Sequence, residues 1–143
     1  MAYIDVVPLE IAKDYLGIDD TSRDAEITRM INSACIYVEK YTNIILVSTD
    51  KTYYREGRDI MVYDYPINTV DENEQKRANY SIFNTDVVEL NVGYELATDV
   101  PTDIVDAVLQ IVSSWFYASE EKTSMGIPKG AKMILDLNKR FIL

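Results

Sequence analysis

The chain has no histidine and one cysteine, and only five glycines and four prolines, in 143 residues. Without histidine it lacks the side chain that most often shuttles protons near neutral pH. One cysteine cannot close an internal disulfide, and the common Cys/His zinc sites are excluded. Cys35, set between Ala34 and Ile36, reads as a small buried side chain rather than a reactive thiol. The apolar runs are a few residues long, far below the roughly 20 that cross a bilayer, and no cleavable leader pattern opens the sequence. A soluble, unexported protein with no membrane partner is expected. Glycine-rich phosphate loops, nucleophile elbows and paired-cysteine motifs are all missing. The adjacent carboxylates Asp19-Asp20 and Glu120-Glu121 should diverge in direction, so they do not make a preorganised catalytic pair. The expectation is a non-enzyme without cofactor, built as one domain over residues 1–143.

Positive charge is the other scarcity. Fourteen basic residues face 24 acidic ones, a formal charge of -10 that opposes attraction to a polyanion. No basic residue lies between Arg77 and Lys122, whereas Asp86, Glu89, Glu95, Asp99, Asp103, Asp106, Glu120 and Glu121 do. The sign then reverses: Lys122, Lys129, Lys132, Lys139 and Arg140 face only Asp136 in the last 22 positions. Either this is ordinary solvated surface, or neighbouring subunits carry complementary patches.

What is present alternates between two periods. Pro8 suits the first turn of a helix and Gly17 its exit, with Leu9, Ala12 and Leu16 on one face. Thr21 or Ser22 can cap a second helix from Ala25 to about Tyr41, whose stripe is Ile27, Ile31, Ala34, Val38 and Tyr41. The middle is rich in β-branched and aromatic residues. Lys51 to Arg55 and Ile60 to Tyr63 read as a hairpin around Glu56-Gly57-Arg58-Asp59, with Pro66 ending its second strand. Asp71 to Lys76 reads as a polar loop. Tyr80 to Phe83 and Val87 to Val92 read as a second strand pair around Asn84-Thr85-Asp86, with Gly93 at the exit. A third helix opens at Asp99-Val100-Pro101, with Pro101 in its first turn, and carries a broad apolar face from Ile104 to Phe116. After Gly126-Ile127-Pro128, Ala131, Ile134, Leu135 and Asn138 trace the inner side of a short terminal helix, with Lys132 and Lys139 outside. The fold class expected is α+β: mainly a bundle of about four helices with a small, mostly antiparallel β-sheet insertion.

The order of these segments resembles the phage head-tail connector family, also described as adaptor or head-completion proteins. Val7-Pro8-Leu9-Glu10-Ile11-Ala12-Lys13-Asp14-Tyr15-Leu16 is similar to its opening helix. Asp24 to Ile31, continued by Ala34 to Thr42, resembles its long helix with a glutamate-plus-aromatic ending, here Glu39-Lys40-Tyr41. Tyr65-Pro66-Ile67-Asn68-Thr69-Val70 is similar to its mid-chain strand boundary. Val92-Gly93-Tyr94 and Val100-Pro101-Thr102-Asp103-Ile104 with Ala107 resemble its glycine-containing strand exit and proline-opened helix. Ile127-Pro128-Lys129-Gly130-Ala131-Lys132-Met133-Ile134-Leu135 resembles its terminal segment. Ser119-Glu120-Glu121 departs from the pattern, because many relatives resemble Asn-Arg-Glu there, which puts a basic subunit contact in doubt.

The resemblance implies a structural adaptor of the virion neck, assembled in the bacterial host cytoplasm. It further implies a ring of about 12 copies of the chain below the portal protein, joined onward to a stopper or tail-completion protein, with packaged DNA passing through without tight binding. Lys129, Lys132, Lys139, Arg140, Phe141, Ile142 and Leu143 are the candidate portal-docking residues, the apolar end as anchor and the cations as selectors of an acidic surface. The same terminal residues also read as the last part of the monomer's own core. Losing residues 139–143 is expected to leave the fold standing if they serve docking. The acidic run from Asp86 to Glu121 supplies candidates for the channel wall or subunit contacts. Two other classes stand beside this one: another neck or tail-completion protein, and a small DNA-binding regulator using the helices around Gly17. The second helix carries only Arg29 and Lys40 as cations, too few for the usual phosphate contacts. Short duplex DNA should therefore not be retained at physiological salt in a mobility-shift titration, and retention would restore the regulator.

Overall fold

Three of the four prolines stand immediately before helices in the computed structural model, which describes residues 1–121 and 126–140. Pro8 and Pro128 occupy the N-cap positions of α2 (Leu9–Leu16) and α5 (Lys129–Asn138), each with φ -60° and ψ 145°. Pro8 and Pro101 thus sit one residue earlier than the first-turn position expected. The physical reason is that an extended proline's carbonyl opens the helical ladder while its missing N–H is not needed. Pro8 O accepts from Ala12 N at 3.1 Å and Pro128 O from Lys132 N at 3.0 Å. Pro101 O accepts from both Ile104 N and Val105 N as α4 (Thr102–Glu121) begins.

Gly17 closes α2 in the left-handed conformation at φ 72°, as its position predicts. The long α3 (Asp24–Thr42) is not capped by Thr21 or Ser22; Arg23 occupies the N-cap position without a side-chain hydrogen bond. Ser22 uses its N–H and hydroxyl on Asp20 Oδ1, at 3.0 and 2.5 Å, to tighten the preceding turn. Lys13, almost fully buried, reaches Asp24 at 3.0 Å and ties α2 to the start of α3. A one-turn helix, α1 (Tyr3–Val6), precedes them and was not expected from periodicity.

The stripes read from sequence meet in one helical core. Ile27, Ile31, Ala34 and Val38 of α3, Ile104, Val108 and Ile111 of α4, and Ala131 and Leu135 of α5 are all fully buried there. Cys35 lies in the same core, and burial pushes its thiol up to about 12, which fits an inert packing residue.

The strands correct the expected hairpins. β1 (Thr49–Tyr54) does not pair with β2 (Ile60–Val62), nor β4 (Ser81–Phe83) with β5 (Val87–Val92). The arms pair crosswise: β1 runs antiparallel to β5 with Thr49 opposite Val92 and Tyr54 opposite Val87, and β2 runs antiparallel to β4 with Ile60 opposite Phe83. Crosswise pairing matches six residues with six and three with three, so each ladder is filled along its length. It also gathers Ile60, Val62, Phe83, Val88, Leu90 and Val92 into one apolar cluster. The segment read as a loop contains β3 (Glu74–Lys76), which pairs with β4 as an edge strand. Its three side chains are all polar, so no alternation betrays it. The architecture is thus helical with a small antiparallel β insertion of two sheets, ordered β1-β5 and β2-β4-β3.

Helical core and sheet meet along an extended seam after α3. Asn43 takes φ 61° at the helix end, and Ile44 and Leu46 then turn into the helical core while Ile45 packs on the sheet cluster. Ile45 N–H donates to Tyr65 O at 2.7 Å, Ile45 O accepts from Tyr94 N at 3.2 Å, and Ser48 N–H donates to Tyr94 O at 3.0 Å. Gly93 lies against this seam at φ 102°. Two half-buried carboxylates brace it. Glu39 accepts from the Tyr3 hydroxyl and from Leu46 N–H, the latter at 2.8 Å. Asp64 Oδ2 accepts from the Tyr53 hydroxyl at 2.6 Å and from Lys51 Nζ at 3.1 Å.

A Cβ on Gly93 would stand 2.7 Å from Val47 O and 2.9 Å from both Ile45 Cγ2 and Ser48 Cα. Gly93→Ala is expected to cost about 2–4 kcal/mol through that clash and the positive φ, read as a lowered urea midpoint with an unchanged slope. Tyr3 and Tyr53 contribute to the alkaline pH dependence alongside Cys35: burial, then their hydrogen bonds to carboxylates, hold both phenols well above the usual tyrosine range. Phenols raised in the folded state contribute stability that is present below about pH 10 and lost as the pH climbs beyond it. Thermal melts across the alkaline range should show that decline, and Tyr3→Phe combined with Tyr53→Phe should flatten it; an equally steep decline in the double variant would locate the titration elsewhere.

Candidate functional site

The terminal helix α5 has two unlike sides. Ala131 and Leu135 are fully buried against the bundle, and Ile134 packs beside them. The opposite side exposes Lys129, Lys132, Met133, Asp136 and Leu137. Met133 is 67% exposed and Leu137, one turn further on, 86%. Spacing of four residues puts both on one stripe between charged neighbours. Neither was singled out from sequence, although both fall off the inner stripe of Ala131, Ile134, Leu135 and Asn138, which was the available signal.

Lys139 and Arg140 turn back onto the molecule. Lys139 Nζ lies 4.8 Å from the Tyr41 ring centroid. Arg140 N–H donates to Thr42 O at 2.9 Å, and its carbonyl accepts from Asn43 Nδ2 at 2.8 Å. Its guanidinium lies 4.2 Å over the Tyr65 ring, and burial lowers its pKa. The seven docking candidates therefore divide. Lys129 and Lys132 stand on the open side of α5, Lys139 and Arg140 fasten the chain to the end of α3, and Phe141, Ile142 and Leu143 lie outside the described residues. Removing residues 139–143 would release the Arg140 contacts, so the expectation of an unaffected fold changes: that deletion costs stability whatever it does to docking.

The acidic run is continuous in sequence and dispersed in space. Asp86, in the turn before β5, pairs with Arg55 at 3.3 Å, and Glu89 points outward from β5. Glu95 and Asp99 are exposed in the connection leading to α4. Asp103 and Asp106 are exposed in the first turns of α4, with Asp103 Oδ2 accepting from Asn138 Nδ2 at 2.9 Å. Glu120 lies at the other end of α4, about 25 Å away along the helix, and pairs with Arg23. Glu121 ends α4; its side chain, like Lys122, lies outside the described residues. The structure thus brings Glu95, Asp99, Asp103 and Asp106 to one end of α4 and leaves Glu120 at the other.

Among the described residues no group of three or more His, Cys, Asp or Glu is placed to hold a metal ion, and no helix is long and apolar enough to cross a membrane. What the surface offers is contact area: an apolar pair between charged neighbours of both signs on α5, and charges of opposite sign at separate places.

No match is found among curated proteins. Among solved structures the chain is similar to one in the neck of an empty GTA particle computed with C6 symmetry, at TM-score 0.73 and 14% identity over 96% of this chain and 91% of that one. It is also similar to a chain in the virion of a native gene transfer agent particle, at TM-score 0.71 and 13% identity over 100% of this chain and 94% of that one. At these identities the likeness is one of fold. The sequence family described as phage gp6-like head-tail connector protein matches residues 7–136, from the last buried residue before α2 to the outer side of α5. The chain belongs to the phage gp6-like head-tail connector family, and its role is that of a structural connector, not an enzyme.

Proposed function

We propose that the chain, as a single domain over residues 1–143, forms a ring of about 12 copies below the portal in the virion neck, continues the DNA channel, and joins the portal to a stopper or tail-completion protein. The family match over residues 7–136 is the observation that carries this reading. The similar fold in the neck of the GTA particle supports the location, and the C6 symmetry used for that particle is compatible with 12 copies.

The outer side of α5 supplies the portal contact. Met133 and Leu137 are the anchors, Lys129 and Lys132 select an acidic portal surface, and Phe141, Ile142 and Leu143, outside the described residues, remain docking candidates by their apolar chemistry. Each large side chain fully removed from water contributes roughly 1.5–3 kcal/mol, so removing both anchors weakens binding measurably even though the pair alone does not hold a complex. Glu95, Asp99, Asp103 and Asp106 face the channel, where an acidic wall repels phosphate and lets DNA move without adhesive stops. An electrostatic map of the assembled ring with a strongly basic inner wall would overturn that assignment.

Because Met133 and Leu137 lie on the surface, Met133→Glu with Leu137→Glu should leave stability within about 0.5 kcal/mol while weakening capture by purified portal rings at least about tenfold. Wild-type capture by that variant would reject α5 as the anchor. A cryo-EM reconstruction of the neck should place about 12 copies against the portal, and any other stoichiometry or a position away from it would require a different assembly.

A further inference from the structure

A cavity of about 300 Å³ opens between the β2-β4-β3 sheet, the Tyr65-Pro66 segment and Arg140. Its charge is lopsided for a chain of formal charge -10. Lys76, Arg77 and Arg140 line it, and none has a carboxylate partner among the described residues. Arg140 Nε is buried with no hydrogen-bond acceptor, although both its backbone groups are fixed to the end of α3. A buried donor without an acceptor is costly, and a guanidinium held in place is preorganised for a carboxylate. The two acids lining the cavity are already engaged: Asp64 holds Lys51 and Tyr53, and Glu74 accepts from the Ser81 hydroxyl at 2.7 Å. Asp64 is paired with Lys51, so among the described residues Glu74 is the one unpaired carboxylate facing three cations that have no salt-bridge partner, and the cavity keeps a net positive charge.

We propose that this cavity receives the acidic Asp19-Asp20 turn of a second copy of the chain. The proposal rests on the ring reading above and names the lateral contact within it. Three observations favour this occupant. Asp19 and Asp20 are exposed, and with Glu10 and Asp14 they make the α2 end of the molecule strongly acidic. Lys13 pairs with Asp24 there, so this end is fixed to the start of α3, whereas Arg140 is fixed to Thr42 at its finish. The 19 residues of α3 hold the two sites about 28 Å apart at opposite ends of one rigid rod, the arrangement a head-to-tail ring requires. The acids at Glu95 to Asp106 do not fit, because Asp103 already contacts Asn138, two residues from Arg140, and so lies at the same end as the cavity. Duplex DNA fits poorly as well: a small concave site suits a side-chain carboxylate, and the net charge repels a long polyanion.

Charge exchange tests the contact. Lys76→Glu with Arg77→Glu makes both ends of the chain acidic, and Asp19→Lys with Asp20→Lys makes both basic. All four side chains are exposed, so melting temperatures should stay near wild type. Each variant alone should lose self-association on purified portal rings at least tenfold, while an equimolar mixture should regain it, because acidic cavities then meet basic turns and basic cavities meet acidic turns. Independently, wild-type rings mixed from ¹⁴N and ¹⁵N protein and treated with a carbodiimide should yield an amide between Lys76 and Asp19 or Asp20 of different copies. Variants that assemble like wild type, a mixture that does not recover, or a Lys76 cross-link to portal instead would each overturn the contact while leaving the ring intact. DNA retention by the wild-type protein that Lys76→Glu/Arg77→Glu abolishes without loss of assembly would assign the cavity to phosphate and overturn it too. Wild-type protein that never assembles on portal would fail the ring reading itself.

Discussion

The backbone of residues 45–48 can lie against Gly93 only because Gly93 has no side chain, and the relation between the helices and the sheets depends on that approach. With Gly93 at φ 102°, Tyr94 can donate to Ile45 and accept from Ser48, which locks the seam as an extended segment. An extended segment turns successive side chains to opposite sides. Ile44 and Leu46 are thereby committed to the helical core and Ile45 to the sheet cluster, so two clusters that could slide independently share one backbone. Glu39 and Asp64 fasten this seam from either flank, each holding a tyrosine hydroxyl. The start of α3, its end and the sheet cavity are then fixed relative to one another, as the proposed ring would require of its two lateral surfaces.

The helices were legible in sequence because their signals are local. Stripes such as Ile27, Ile31, Ala34 and Val38 declare a period of 3.6, and Gly17 and the prolines mark ends within a residue. The strand pairings were not, because adjacency in sequence says which strands can form a hairpin and nothing about a better-matched partner further along. Tyr54 and Ile60 are joined by a tight turn, closed by a bridge between Glu56 and Asp59, yet each continues into a different sheet. β3 was hidden for another reason: an edge strand of Glu74, Gln75 and Lys76 has no apolar side chain to reveal it. The seam was equally silent, since four apolar residues in a row, Ile44 to Val47, do not say that they divide between two cores.

Function was legible in the order of weak motifs more than in any chemistry, and the site residues less so. The basic tail was visible as a cluster, but sequence cannot tell Lys132, which stands free on a helix, from Arg140, whose backbone and guanidinium complete the end of α3. The acidic run misled in the opposite way. Adjacent letters suggested one wall, whereas a 20-residue helix carries Asp103 and Glu120 to different ends of the molecule. A charge count along the chain therefore predicts repulsion from polyanions better than it predicts where any one charge acts.

In the ring proposed above, free copies would have to stay dispersed until the portal template exists, and the described surface fits that restraint. Met133 and Leu137 are exposed but separated by a turn and flanked by Lys132 and Asp136, so they do not merge into a wide apolar patch. Two such side chains release too little free energy to offset the lost translational and rotational freedom of an isolated pair of molecules. A multivalent partner changes the balance, because one docked copy raises the local concentration felt by the next, and weak lateral pairs then act together. If α5 docks as proposed, assembly is gated by the template rather than by subunit concentration, and the net charge of -10 keeps free copies apart until then.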